Sequence, residues 1–405
     1  MNYDQVIKET IKSNNSKIVM LVMDGVGDLR SPKFHNKTPL EYAQTPNLDK
    51  LAAVSALGRS IPILPGITPG SGPGHLGLFG YDPLQIAIGR GVLESIGIGF
   101  DLKNGDVAAR CNFATMNEHG RITDRRAGRI PTEITEILCQ KLKSIKEIDG
   151  VEIIIEPGKG HRFVTVFRSK EKEIGALIND TDPLEEGKAP LAAKGQNSQS
   201  EFLAKVINKF VHLGYDLLKN EHSANAFLLR GIASKPKIPT MRDKYLLESA
   251  AIAAYPMYRG IASLLGMTLL PAGDSIEGLF QSYIENRHKY DFFFIHVKGT
   301  DQAGEDGDFD SKVSCIEKVD KSLPILLEHI PDVLTITGDH SSPCAMRSHS
   351  WHPVPTLIHG PFTGADDVQF FHENACNQGS LGFFESKYLM GILLSNAKRL
   401  DKFGA

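Results

Sequence analysis

No apolar run in this 405-residue chain is long enough to cross a bilayer. The longest, IVMLVM at 18–23 and FFFI at 292–295, are strand-sized, against the ~20 residues a membrane helix needs. Cysteine is scarce: Cys111, Cys139, Cys315, Cys344 and Cys376 are scattered, odd in number and without a CxxC pair. That usage argues against a disulfide framework or zinc knuckle and for a reducing compartment, taken here as the cytoplasm. Excess charge of either sign is missing too, with 45 basic against 48 acidic residues and a net charge of -3. No whole-protein field for nucleic acid follows, and no Lys/Arg block suggests a membrane surface. The first residues, MNYDQVIKETIKSNN, are polar and of mixed charge, unlike a secretory signal. Internal repeats and low-complexity tracts are lacking.

What is present suffices for a folded enzyme-sized protein. Apolar residues make up 41% of the chain, enough to bury a core and exclude general disorder. The length fits two domains, or one large α/β domain with an insertion. Three apolar runs end in acidic loops: Ile18 to Met23 before Asp24, Phe292 to Val297 before Asp301, and Val333 to Thr337 before Asp339 and His340. Each reads as a buried parallel strand. Ligands of open α/β sheets bind beyond the carboxyl ends of strands, so the three loops converge if the strands share a sheet. TPNLDKLAAVS and DSKVSCIEKVDKSLPILLEHI read as helices docked on that sheet. The middle has its own rhythm. GDVAARCNFATM, VEIIIEPG, HRFVTVFRS and EIGALIND read as strands, and PTEITEILCQKLKSI and SQSEFLAKVINKFVHLGYDLL as helices. The expected division is a core of residues 1–100 and 243–405, with residues 101–242 inserted as a smaller α/β or α+β lid moving on linkers near 97–106 and 235–244.

Asp24, Asp301, Glu305, Asp339, His340 and His349 are oxygen and imidazole donors suited to Mn²⁺, Zn²⁺ or Mg²⁺. A lone Asp at a strand end is commonly a helix cap. Six such groups beyond predicted strands favour a metal centre. The loop PGITPGSGPGHLGLFGYDP contains a G-x-G-x-x-G match, but Pro73 interrupts it and no strand leads directly into it. Ser71 remains, flanked by glycines. It is either a helix cap or a hydroxyl that a metal or phosphoryl group can approach.

The motifs MDGVGD, TPNLDKLA, SGPGH, GTDQAGEDGD, TGDHSSP and HSWHPVP, in that order, resemble the alkaline phosphatase superfamily of metalloenzymes. With IGRGVLESIGIGFDLKNGDVAARCNFAT, TDRRAGR and GHRFV, the chain resembles the archaeal-type 2,3-bisphosphoglycerate-independent phosphoglycerate mutases over nearly its whole length. The resemblance implies an alkaline-phosphatase-like α/β core and two divalent ions, Mn²⁺ foremost, with Mg²⁺, Co²⁺ or Zn²⁺ as alternatives, and no bisphosphoglycerate. Asp24, Ser71, Asp339 and His340 would hold one ion, and Asp301, Glu305 and His349 the other. The implied reaction interconverts 2- and 3-phosphoglycerate, a step of glycolysis and gluconeogenesis, through a phosphoserine at Ser71. Lys244 would lie beside the phosphoryl group and Asp124 would carry protons. Arg110, Arg125, Arg126, Arg129, Arg230 and His161 would bind the substrate, with Arg162 a further candidate. Two positions depart from the pattern: Glu305 stands where the family has His, and His352 where it has Asp. Replacing imidazole by carboxylate favours oxygen-loving ions over Zn²⁺. His352 reads as a supporting or surface residue rather than a ligand. A phosphomonoester hydrolase, a phosphopentomutase and a non-catalytic metal- or metabolite-binding relative stay open. So does a second copy of the chain as partner.

Overall fold

The computed structural model describes residues 2–86 and 88–404. The chain has a mixed α/β fold whose large, mostly parallel sheet is flanked by helices, as the sequence leads one to expect. It divides into two compact units, residues 1–87 with 238–405, and residues 88–237. Among the described residues no helix is long and apolar enough to cross a membrane.

The first unit is built on eight strands in the order Thr268–Leu269, Ser249–Ile252, Phe292–Val297, Ile18–Met23, Val333–Thr337, Val354–His359, Ala56–Ile61, Gly382–Glu385. Only Val354–His359 runs against the others. The central trio is buried along its whole length and apolar except at His296, Thr335 and Thr337, because helices cover both faces of a parallel sheet. Its register pairs Met23 with Val297 and Val22 with Thr337. The loops that follow therefore leave the sheet side by side. The helix Phe309–Leu327 is capped by Asp308 and buries Val313, Ile316, Val319 and Leu323. Each large apolar side chain removed from water contributes roughly 1.5–3 kcal/mol.

The second unit is an antiparallel sheet in the order Ile122–Asp124, Val107–Met116, Arg162–Ser169, Val151–Pro157, Glu147–Ile148, with Ala226–Ser234 on the other edge of Val107–Met116. The amphipathic helices Thr132–Leu142 and Ser198–Leu218 contribute to its core with Phe113, Phe163, Phe167 and Phe227. Three details differ from expectation. The boundaries fall at 87/88 and 237/238 rather than 100/101 and 242/243. The helix Arg90–Gly97 packs into the second unit, where a Cβ on Gly91 would stand 2.3 Å from the Ala108 carbonyl oxygen. The segment EIGALIND forms no strand beyond an isolated bridge at Ile178. Its last residue Asp180 accepts from the edge strand's Gly231 N–H, and the next, Thr181, donates its N–H to the Leu229 carbonyl at 3.0 Å and accepts from Leu229 N–H through its hydroxyl. That edge strand, Ala226–Ser234, went unread in the sequence.

Candidate metal centre and anion site

Asp24 follows the strand Ile18–Met23 directly, its N–H held by the Val297 carbonyl at 2.9 Å. Its two carboxylate oxygens have different fates. Oδ2 accepts from Tyr258 Oη and from Lys298 Nζ at 3.0 Å, and lies 3.3 Å from His296 Nε2. Oδ1 is buried and unpartnered, 3.4 Å from His340 Nε2. Asp339 Oδ1 accepts from Gly25 N–H at 3.2 Å, while its Oδ2 is again unpartnered, 3.2 Å from His340 Nε2. His340 Nε2 itself has no hydrogen-bond partner. Ligand atoms of Asp24, Asp339 and His340 lie within 4.8 Å of one another, and so do those of Asp301, His340 and His349. Unpartnered polar atoms buried this completely cost free energy unless something charged meets them. Two carboxylates and a neutral imidazole fit a divalent cation.

The electrostatics agree. Burial alone would raise the Asp24 carboxyl, but the His296 contact and the His296, His340 and Lys298 charges hold it well below its ordinary range. Burial and then the Asp24 charge push Asp339 the other way. The raised Asp339 carboxyl marks a position short of positive charge, whereas Asp24 already has Lys298 beside it. Burial lowers His340, favouring the neutral form that ligates metals, and brings His75 and His296 down to about 4.

Ser71 opens the helix Ser71–Leu78, but Gly70 is the cap and no side chain caps the helix. The Ser71 hydroxyl is therefore not spent on the helix, and it neighbours the Tyr258 hydroxyl that binds Asp24. One turn on, His75 Nδ1 lies 2.8 Å from the Ser71 carbonyl oxygen and 3.1 Å from Asp339 Oδ2. Gly74 is what lets this helix come so close, since a Cβ there would stand 2.6 Å from the Asp339 carbonyl oxygen.

The second unit carries a separate concentration of charge. Arg110 and Arg230 are directly paired across neighbouring strands, and Arg162 sits opposite Asn112 on the other side. Alternation places all three on one face of the sheet. Each has a buried Nε without a hydrogen bond, although that of Arg230 lies 3.5 Å from Asp182 Oδ2. Burial and then, against the pull of Glu94, the Arg162, Arg90 and Arg230 charges lower Arg110 to about 10. His161, beside Arg162, Arg126 and Arg110, is brought to about 4, mainly by burial. Clustered guanidinium groups with spare donors suit a carboxylate or phosphate.

Comparison with known proteins decides what kind of chain this is. The family model described as 2,3-bisphosphoglycerate-independent phosphoglycerate mutase matches residues 52–225. A probable 2,3-bisphosphoglycerate-independent phosphoglycerate mutase of Aquifex aeolicus is 50% identical over 99% of this chain and 100% of its own. The chain belongs to the 2,3-bisphosphoglycerate-independent phosphoglycerate mutase family. The corresponding probable mutase of Thermus thermophilus is 46% identical over the full length of both. Among solved structures, the cofactor-independent phosphoglycerate mutase of Thermoplasma acidophilum superimposes with a TM-score of 0.73 at 28% identity, covering 94% of this chain and all of the other. A Pyrococcus horikoshii protein reaches 0.84 at 29% identity, covering 97% of this chain and all of the other.

Within this mutase-family chain, several expected site residues sit elsewhere than the motifs imply. Lys244 donates to the Gly80 carbonyl at 2.6 Å and pairs with Asp4 at 2.9 Å. Its ammonium is thus committed away from the carboxylate–imidazole cluster. Lys298, not singled out in the sequence, occupies the cluster and bridges Asp24 and Asp301. Arg125 pairs with Asp182 through Nε and Nη2, with two contacts of 2.8 Å. Asp124 accepts from Arg126 N–H at 2.7 Å and Gly128 N–H at 2.6 Å. Those contacts anchor a turn. Ala127, Gly128 and Arg129 in the turn all have positive φ, strain of a kind concentrated at functional loops. Arg126 and Arg129 project from it exposed. Glu305 stands at the rim, its side chain 55% exposed and 3.6 Å from His349 Nε2. His352 contacts Ser350 Oγ at 3.0 Å and stacks on Trp351. Four further residues of the cluster, His75, His296, Tyr258 and Ser342, escaped the sequence reading. The signal for His296 was a lone imidazole in a fully buried apolar strand, and for His75 its helical spacing from Ser71.

Proposed function

We propose that the chain interconverts 2-phosphoglycerate and 3-phosphoglycerate through a phosphoserine at Ser71, using two divalent cations and no bisphosphoglycerate. The observation that carries this reading is the convergence of the unpartnered atoms Asp24 Oδ1, Asp339 Oδ2 and His340 Nε2 beside a helix-start serine whose hydroxyl caps nothing. Asp24, Ser71, Asp339 and His340 hold one ion, and Asp301, Glu305 and His349 the other. When bound, the ions ease loss of the hydroxyl proton and neutralise charge on the phosphoryl oxygens.

Ser71 Oγ gives up its proton and forms the new O–P bond in line, while the substrate oxygen departs and takes a proton. The glycerate stays bound and turns. Its other hydroxyl then attacks the phosphoserine, and Ser71 Oγ leaves and is reprotonated. Lys298, fixed between Asp24 and Asp301, adds permanent positive charge near the transferring group. Arg110, Arg162 and Arg230, with Arg126, Arg129 and His161 beside them, grip the glycerate carboxylate during the turn. Water has to be kept from the phosphoserine, which it would otherwise hydrolyse. The cytoplasm suits such an enzyme, and its five cysteines are free thiols.

The test is a coupled assay. Metal-stripped protein receives 3-phosphoglycerate with enolase, the coupling system having its own Mg²⁺, and then Mn²⁺, Co²⁺ or Zn²⁺. Turnover is expected to return with Mn²⁺ and to vanish in Ser71→Ala. Free phosphate released at the turnover rate would replace the mutase reading with a phosphatase.

A further inference from the structure

Ser342 is fully buried, and every polar atom it owns is committed. Its N–H donates to the Gly27 carbonyl at 3.0 Å, and its carbonyl accepts from Lys312 Nζ at 2.8 Å. The same ammonium, itself fully buried, bonds Asp28 at 2.9 Å and the Gly27 carbonyl at 3.2 Å. Ser342 is thereby clamped between the loop after Ile18–Met23 and the helix Phe309–Leu327. Two glycines keep the space around it clear: a Cβ on Gly25 would stand 2.6 Å from its Oγ, and one on Gly304 2.2 Å from its carbonyl oxygen.

The hydroxyl makes two contacts, at 2.6 Å to Asp301 Oδ1 and 3.2 Å to His340 Nδ1. A serine has one proton. A carboxylate can only accept it, so the oxygen must in turn accept from His340, and the imidazole proton is then on Nδ1. That leaves Nε2 as the lone pair, and Nε2 is the unpartnered atom shared by both ligand groups. We infer that Ser342 is a positioning residue that sets the His340 tautomer and the Asp301 carboxylate together, so that both cation positions depend on one hydroxyl. The inference rests on the two-cation reading above. Outer hydrogen bonds of this kind are worth about 10–100-fold in metal affinity.

The test uses the metal-stripped full chain and Mn²⁺ alone, bound under titration by electron paramagnetic resonance. Nitrogen-15 NMR of the His340 ring gives the tautomer without metal. In Ser342→Ala, both Mn²⁺ binding steps should weaken by about 10–100-fold, and the Nδ1–H form should lose its dominance. Ser342→Cys, which keeps the volume and a weaker donor, should fall between. Ser341→Ala removes a neighbouring buried hydroxyl that bonds only the His352 carbonyl, and should keep wild-type affinity and tautomer. Wild-type Mn²⁺ affinity in Ser342→Ala, or a proton on Nε2 in the wild type, would overturn the inference. A wild type that binds Mn²⁺ with the Nδ1–H tautomer but converts no phosphoglycerate would sink the mutase reading and leave Ser342 standing.

Discussion

At the scale of single residues, the chain's departures carry more information than its agreements. Glu305 puts an exposed carboxylate where a family imidazole would stand, 3.6 Å from His349. Oxygen donors shift a site toward Mn²⁺ and Mg²⁺ and away from Zn²⁺. Glu305→His should therefore raise the ratio of Zn²⁺- to Mn²⁺-supported turnover by about tenfold, and an unchanged ratio would remove Glu305 from the metal centre. His161 makes a stability prediction of opposite character. Burial and then the neighbouring Arg162, Arg126 and Arg110 charges bring it from 6.5 to about 4. Between those values the unfolded chain takes up a proton that the folded unit refuses. Its contribution is thus complete above pH 6.5 and lost as the pH falls toward 4. Thermal melts across that window should show a shallower pH slope in His161→Gln, and parallel curves would refute it.

At the scale of elements, what could be read from the sequence was the strand end. Apolar runs followed within a few residues by Asp24, Asp301 or Asp339-His340 revealed both a buried parallel sheet and the donors above it, because hydrophobic pattern and chain direction are local properties. What stayed hidden was contact between distant segments. Nothing local says that Tyr258 reaches Asp24, that Lys298 rather than Lys244 enters the cluster, or that Asp182 pairs with Arg125. Tight helix approaches are hidden for the same reason. Gly74 reads as a poor helix residue, and Ala there would gain ~1 kcal/mol in propensity. Its Cβ would nonetheless meet the Asp339 carbonyl oxygen at 2.6 Å, and overpacking of that kind costs about 1–3 kcal/mol. The clash decides the sign. Gly74→Ala should melt below the wild type and, by displacing Asp339, lose ~10-fold or more in turnover. Unchanged melting and activity would show that the helix has room to shift.

At the scale of the whole molecule, the two units have separate hydrophobic cores and separate charge chemistry. Every candidate cation ligand belongs to the first unit, and the arginine cluster to the second. Ligand binding stabilises only the structure that holds the ligand, by about 2.7 kcal/mol at one hundred times the dissociation constant. For a unit of this size that is roughly 5–10 °C in melting temperature. Calorimetry of the metal-stripped chain should therefore show two transitions, of which Mn²⁺ raises one and leaves the other where it was. Chelator should reverse the shift, and Asp301→Asn should shrink it, since that carboxylate serves one of the two ligand groups. The transition that moves can be identified by the arginine unit, whose melting should respond to the His161 pH window and not to metal. A single transition shifting as one, or both moving together, would mean that the units are thermodynamically coupled. A transition indifferent to Mn²⁺ would mean that the buried unpartnered atoms of Asp24, Asp339 and His340 are satisfied by something other than a divalent cation.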